Sequence, residues 1–202
     1  YMMLPDICGV HFGRNKILRL MRKYNCICAI RRERTELKAN RELLKNNRKP
    51  NLLKRRFRLA RPGEILLTDV SYLKYGLNRT EYLSCVKDAV SGRVVSHITS
   101  SANDLNLAMD TIDTLDHSQD TIFHSDQGSL YLNDFFQNRI KGLGYSQSMS
   151  RRGNCWDNAS QESFFGHMKD ECDLSDCSTS EEVKEMIDNY VYYYNNERPQ
   201  WT

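Results

Sequence analysis

Carboxylates dominate the residues of this chain that could do chemistry. Asp69 stands inside Ile65-Leu66-Leu67-Thr68-Asp69-Val70, a run that otherwise reads as an apolar strand. Taking an ionised carboxylate out of water costs several kcal/mol unless it is paired or bound to a metal, so an acid placed there is a candidate site. The alternative is a solvated strand face or an arginine partner. Asp126 closes the short apolar stretch Thr121 to His124 and is followed by Gly128. Open α/β sheets gather ligand-binding groups at strand ends, whereas a turn aspartate would cap its own backbone. His124 shares a strand face with Asp126 by period two, either as a base or ligand or as a satisfied structural group. Glu162 and Lys169 are seven residues apart in a helical segment and lie within about 20° of each other around it. That face offers an acid near a base, or else a surface ion pair of little worth. The 35 residues between Asp126 and Glu162 have little force as a spacing. With 26 acids among 202 residues, roughly three pairs at any chosen separation arise by chance, so context must decide.

Periodicity supplies the elements that must position these residues. Ile65 to Tyr72, Glu81 to Val90 and Arg93 to Thr99 are rich in β-branched and aromatic residues and are separated by Gly76-Leu77-Asn78 and Ser91-Gly92. This predicts three successive strands joined as hairpins. Leu105, Ala108, Met109 and Ile112 then mark a helix, Thr121 to His124 a strand, and Phe136, Ile140 and Leu143 a helix closed by Gly142 or Gly144. Gly144 to Ser150 can return to the sheet. Phe164, Phe165, Met168 and Cys172 share one side of the helix that carries Glu162. Thr179 with Glu182 forms a capping box for a last helix, along which Val183, Met186, Ile187, Tyr190, Val191 and Tyr194 make an apolar stripe. Together these predict an α/β fold, a mixed sheet flanked by helices.

A net charge of +3 conceals a strong asymmetry. Residues 1 to 63 carry 18 Lys and Arg against 4 Asp and Glu, whereas residues 64 to 202 carry 11 against 22. A basic arm on an acidic body suggests attraction to a polyanion through the arm and carboxylate work in the body. Ile17, Leu20, Met21 and Tyr24 form one side of an amphipathic helix whose outer face includes Arg19, Arg22 and Lys23, a shape able to lie along DNA. Residues 31 to 63 read as a basic linker that tracks phosphates. No apolar run approaches a membrane span, and Tyr1 to Pro5 lack signal-peptide character, so a soluble intracellular protein is expected. The seven cysteines include no C-x-x-C, which argues against a disulfide framework and against structural zinc.

Longer words carry a resemblance. His124-Ser125-Asp126-Gln127-Gly128-Ser129, the run from Ser148-Met149-Ser150-Arg151-Arg152-Gly153-Asn154-Cys155-Trp156 to Asp157-Asn158-Ala159, and Glu162-Ser163-Phe164-Phe165 with Lys169 resemble bacterial insertion-sequence transposases of the OrfB type, whose catalytic core is retroviral-integrase-like. Asn51-Leu52-Leu53, Phe57 and Thr68-Asp69 match that family's approach to its first acid, and Tyr194-Asn195-Asn196-Glu197-Arg198-Pro199 resembles its tail.

The resemblance implies a ribonuclease-H-like fold and a DDE triad at Asp69, Asp126 and Glu162, serving both as catalytic residues and as ligands of two Mg²⁺ ions, with Mn²⁺ able to substitute. Close carboxylates repel until a cation neutralises them, and hard divalent cations want oxygen ligands, so the chemistry agrees with the residue types. Residues 1–30 resemble a partial helix-turn-helix remnant, 31–63 the basic linker, and 64–202 the integrase-like catalytic core with its C-terminal helix. The implied function is metal-dependent cleavage at transposon ends and strand transfer into target DNA. DNA contacts are expected from Lys169, Arg151, Arg152, Asn154 and Asn158, with Arg19, Arg22 and Lys23 on the first helix. A homo-oligomer in the synaptic complex and a cytoplasmic, nucleoid-associated location are expected, with no membrane partner. Two other readings stay open: a non-catalytic DNA-binding relic or regulator, and a ribonuclease H.

Overall fold

In a computed structural model the apolar run that begins at Ile65 becomes β1 (Ile65–Tyr75), the centre of the sheet. The structure describes residues 12–26, 46–53, 60–118, 120–151 and 159–199. They fall into two compact units, residues 1–42 and residues 43–202. In the first, α1 (Arg14–Lys23) ends in Arg22 and Lys23, where positive charge complements the carbonyl end of the helix. Arg19, Arg22 and Lys23 are exposed, while Ile17 and Leu20 are half-buried.

In the second unit β2 (Arg79–Asp88) and β3 (Val94–Ser100) follow β1 as antiparallel hairpins, as their residue types predict. Gly76 and Asn78 both take positive φ, 47° and 66°, which lets the β1–β2 turn close. The crossover α2 (Leu105–Asp113) starts where the Asp104 carboxylate accepts the Leu107 N–H. β4 (Ile122–Ser125) then returns parallel to β1. After α3 (Asp134–Gly142), β5 (Ser146–Met149) pairs parallel to β4. Gly144, at φ 85°, closes α3 with the Tyr145 N–H donating back to the Ile140 carbonyl at 3.1 Å. The strand order is β3-β2-β1-β4-β5, a mixed sheet. α4 (Ala159–Glu171) and α5 (Ser180–Asn196) complete the unit, and the Thr179–Glu182 capping box starts α5 as the sequence predicts.

Strand alternation divides the core between the two faces of this sheet. Leu73, Leu83 and Cys85 pack with Phe164 and Met168 of α4 and with Val183, Ile187 and Tyr190 of α5. Leu66, Val86 and Phe123 pack on the other face with Ala108 and Ile112 of α2 and Phe136 and Ile140 of α3. β4 pairs with β1 at Ile65, Leu66 and Leu67, the first three residues of β1.

Two of the sequence words are structural. Leu53, 3% exposed, packs against Ile65 and Leu67, and the Leu52 N–H donates to Ser148 Oγ at 2.9 Å, so Asn51-Leu52-Leu53 docks beside β5. Asn195 imitates a strand neighbour of β3: its Oδ1 accepts the Val94 N–H at 2.9 Å and its Nδ2 donates to the Val94 carbonyl at 2.8 Å. Arg198 forks onto the Glu171 carboxylate at 2.7 to 3.1 Å, tying the end of α5 to the end of α4. Phe57 lies outside the described residues. Cys26, Cys85, Cys172 and Cys177 are free thiols, and Cys8, Cys28 and Cys155 lie outside the described residues. Among the described residues no helix is long and apolar enough to cross a membrane.

Asn195→Ala should cost roughly 1 to 3 kcal/mol, since it leaves both backbone groups of Val94 without partners. Urea denaturation reads this directly, with Asn196→Ala, at an exposed site, as the small-effect comparison. Equal midpoints for wild type and Asn195→Ala would show that α5 does not hold β3.

Candidate active site

Asp69 sits half-buried in β1, its Oδ1 accepting the N–H of Val70 at 2.8 Å. Directly across the β1–β2 ladder stands Cys85. Asp126 follows the last residue of β4, and its Oδ1 accepts the Gly128 N–H at 2.7 Å. A Cβ at position 128 would meet that oxygen at 2.8 Å, so glycine is what permits the close approach. The same loop is pinned to the end of β5, where Gln127 donates to the Ser150 carbonyl at 3.0 Å and the Ser150 N–H to the Ser125 carbonyl at 2.9 Å.

Glu162 lies exposed in the first turn of α4. Its neighbour Gln161 is fully buried and donates to the Cys85 carbonyl at 3.3 Å, which anchors this turn to the residue opposite Asp69. A second anchor is Lys87 of β2, only 5% exposed, whose Nζ donates to the Ser160 carbonyl and to the Tyr194 hydroxyl, both at 3.1 Å. Burial holds that ammonium below the usual lysine range. Sequence inspection missed Gln161 and Lys87. The apolar stretch around Lys87 was the available signal, because a lysine facing a core needs acceptors supplied by some other element.

Three elements thus bring Asp126 and Glu162 within electrostatic reach of Asp69. The Asp69 carboxyl is pushed up to about 6, first by burial and then by the negative charges of Asp126 and Glu162, against the opposing hydrogen bond from Val70. The buried Tyr131, also unremarked in the sequence, has its hydroxyl pushed well above the usual tyrosine value by burial and by the charges of Asp69 and Asp126. Among the described residues no three His, Cys, Asp or Glu side chains stand together in a group that could hold a metal ion. The three carboxylates share a field without being drawn onto one point.

His124 is fully buried between β4 and β5, with Nδ1 2.9 Å from the Ser148 hydroxyl that also receives the Leu52 N–H. Of the two readings of His124, the structural one describes this bond. Lys169 is exposed on α4, and its Nζ stands 4.3 Å from the centre of the Tyr72 ring, which is 60% exposed. A cavity of about 450 Å³ opens beside this pair between β1 and α4, with Lys74, Met168 and Ile187 in its walls and none of the three acids. Arg151 is exposed at the end of β5. Arg152, Asn154, Trp156 and Asn158 lie outside the described residues. Arg19, Arg22 and Lys23 belong to the other unit.

A mixed five-stranded sheet of order β3-β2-β1-β4-β5 flanked by helices is the architecture of an integrase-type core. Comparison with known proteins agrees. The integrase core domain family matches residues 60–155 and, in a second segment, 143–200. A transposase-like protein of Haemophilus influenzae is 34% identical over 155 residues, covering 74% of this chain and 71% of that protein. The putative transposase InsK for insertion sequence element IS150 of Escherichia coli is 39% identical over 155 residues, covering 74% of this chain and 54% of that one. The chain therefore spans about half the length of that relative. The catalytic core domain of HTLV-2 integrase, solved in complex with magnesium, superposes with a TM-score of 0.53 at 19% identity, covering 68% of this chain and 89% of that one. That likeness fixes the fold, which is ribonuclease-H-like. The chain belongs to the family of insertion-sequence transposases with an integrase-like core.

The raised Asp69 pKa generates a sign-specific prediction for the metal-free protein. The folded state binds this proton more tightly than the unfolded chain, so the associated stability is complete below pH 3.8 and is lost as pH rises through about 6. The loss should amount to roughly 1 to 3 kcal/mol. In EDTA, wild type should lose more stability than Asp69→Asn between pH 4 and pH 7.5 in urea melts. Parallel losses in the two proteins would show that Asp69 does not feel its neighbours.

Proposed function

We propose that this chain carries the DNA-cutting and DNA-joining core of an insertion-sequence transposase, in which Asp69, Asp126 and Glu162 act together as the catalytic carboxylates. The observation that carries the proposal is the meeting of β1, β4 and α4 at one place, where the charges of Asp126 and Glu162 both raise the proton affinity of Asp69. Such a group of acids fits divalent cations. The ligands are hard oxygens, and a shared cation would offset both the burial and the repulsion that lift Asp69.

Asp69, Asp126 and Glu162 would hold two Mg²⁺ ions, with Mn²⁺ as a substitute. When bound, the metal supplies Lewis acidity for an in-line displacement at DNA phosphorus, activating the attacking water or 3′-hydroxyl and stabilising the leaving 3′-oxygen. The protein's own residues supply orientation. The Val70 and Gly128 N–H groups each fix one oxygen, of Asp69 and of Asp126 respectively. Gln161 and Lys87 fix the turn that carries Glu162. Asp69, with a proton affinity centred near pH 6, is ionised at neutral pH and can serve as a ligand without first losing a proton.

DNA ends and target DNA are the proposed partners, bound by a homo-oligomer in a synaptic complex in the cytoplasm, at the nucleoid. The core is net −11 from residue 64 onward, so attraction to DNA falls to the basic residues 1–63, with Arg19, Arg22 and Lys23 among them, and to local cations. Lys169 on Tyr72 is the local cation described beside the acids' helix, a positive charge with an exposed ring able to meet a phosphate and its base. Arg151, Arg152, Asn154 and Asn158 are proposed to meet DNA from the segment that joins β5 to α4. The proposed domain arrangement is a partial helix-turn-helix remnant in 1–30, the basic linker in 31–63 and the catalytic core in 64–202.

The test uses labelled element-end DNA and an RNA–DNA hybrid, each with and without Mg²⁺. Wild type should cut the end and join it to target only with Mg²⁺. Asp69→Asn, Asp126→Asn and Glu162→Gln should each abolish both steps while leaving end binding nearly intact. Lys169→Ala should weaken end binding by about 1 to 2 kcal/mol, and Lys184→Ala on exposed α5 surface should not. Cleavage of the hybrid alone would make the protein a ribonuclease H. Binding of the end without cleavage under any metal condition would make it a DNA-binding relic.

A further inference from the structure

Lys87 is the one lysine that the fold buries beside the acids' helix, and no carboxylate among the described residues pairs with it. A buried ammonium is costly to keep, and a methionine of similar shape would pack in the same place at no electrostatic cost. Its position adds to the oddity. The positive charge sits at the first turn of α4, the end of a helix that carries positive character already. A cation maintained against burial and against the helix dipole is held by the two oxygens it serves, the Ser160 carbonyl and the Tyr194 hydroxyl.

Those two oxygens belong to different helices. Ser160 is two residues before Glu162 in the first turn of α4, and Tyr194 is in the last turns of α5. Lys87 itself lies opposite Leu67 on β2, two residues along from Cys85, which stands opposite Asp69 and accepts from Gln161. One strand, β2, therefore grips the same helical turn twice, through the Cys85 carbonyl to Gln161 and through the Lys87 ammonium to Ser160. Glu162 extends from that turn on the exposed side. The Tyr194 ring is itself fixed, 4.8 Å from Phe164 of α4 in an edge-on contact, so the acceptor on α5 cannot drift away from the ammonium.

We infer that Lys87 is a positioning residue for Glu162: it ties the first turn of α4 to β2, the strand that pairs with Asp69, and so sets where the Glu162 carboxylate can meet a divalent cation bound with Asp69 and Asp126. The inference rests on the proposed metal-binding role of those acids. Groups behind a metal ligand commonly govern affinity as strongly as about 10- to 100-fold without touching the ion. Glu162 has special need of such support, because it is the one member of the three that comes from an exposed helical position and not from the sheet or a strand end.

The experiment measures Mn²⁺ binding by calorimetry in the absence of DNA, so that it does not depend on turnover. Four proteins are compared with wild type: Lys87→Met, Tyr194→Phe, Asp69→Asn and Ile140→Val. Lys87→Met should lower Mn²⁺ affinity about 10-fold or more while its urea midpoint stays equal to or above that of wild type, since removing a buried charge relieves a desolvation cost. Tyr194→Phe keeps the ring packing, removes one acceptor of the ammonium, and should shift affinity in the same direction by a smaller factor. Ile140→Val, a core change on the opposite face of the sheet, should lower stability and leave Mn²⁺ affinity unchanged. Wild-type Mn²⁺ affinity in both Lys87→Met and Tyr194→Phe would overturn the positioning role and leave the metal site standing. Equal Mn²⁺ binding by wild type and Asp69→Asn would instead overturn the metal reading of the acids, and the role of Lys87 with it.

Discussion

Asp69 bears the cost of burial and the nearby charges of Asp126 and Glu162, and a fold that keeps such carboxylates near one another must fix each from behind. That constraint organises the second half of this chain. Asp69 is fixed by being part of the central strand, with its partner residue set by an unbroken ten-pair ladder to β2. Asp126 is fixed by a turn in which glycine at 128 leaves room for its carboxylate and by two hydrogen bonds that pin the same loop to the end of β5. Glu162 is fixed at one remove, through a buried glutamine, a buried lysine and the aromatic packing of α4 on α5.

The tail extends the same logic. Asn195 holds α5 to β3, and Arg198 locks the far end of α4 through Glu171, whose carboxyl is held below its usual value by that guanidinium. The word Tyr194-Asn195-Asn196-Glu197-Arg198-Pro199 thus contains a ring beneath Lys87, a clamp on β3 and a fork onto α4. It ties α5 to β3 and to the end of the helix that bears Glu162.

Much of this was legible in the sequence, for physical reasons. The strands were readable because β-branched runs are punctuated by turns that need positive φ, at Gly76, Asn78 and Gly92. α5 was readable from its capping box and stripe; Asp69 and Asp126 stood out as candidates in or beside apolar runs, and their grouping with Glu162 came from the resemblance to transposases. What the sequence hid is long-range. Lys87 meets Ser160 across 73 positions and Tyr194 across 107, and no local period reports such a contact. His124 offered two roles in the sequence because its partner Ser148 lies on a strand that pairs with it only in the folded sheet. Lys169 shares a helix face with Glu162, as its spacing requires, but what stands against it is Tyr72, a residue of β1 that helical periodicity could not supply.

The central claim is that Asp69, Asp126 and Glu162 form one divalent-cation site. Anomalous diffraction from crystals of the protein soaked in Mn²⁺ at neutral pH tests it most directly. The account predicts an anomalous peak in contact with carboxylate oxygens of both Asp69 and Asp126, with Glu162 turned toward it. Peaks confined to other acids, with no ion between Asp69 and Asp126, would contradict it.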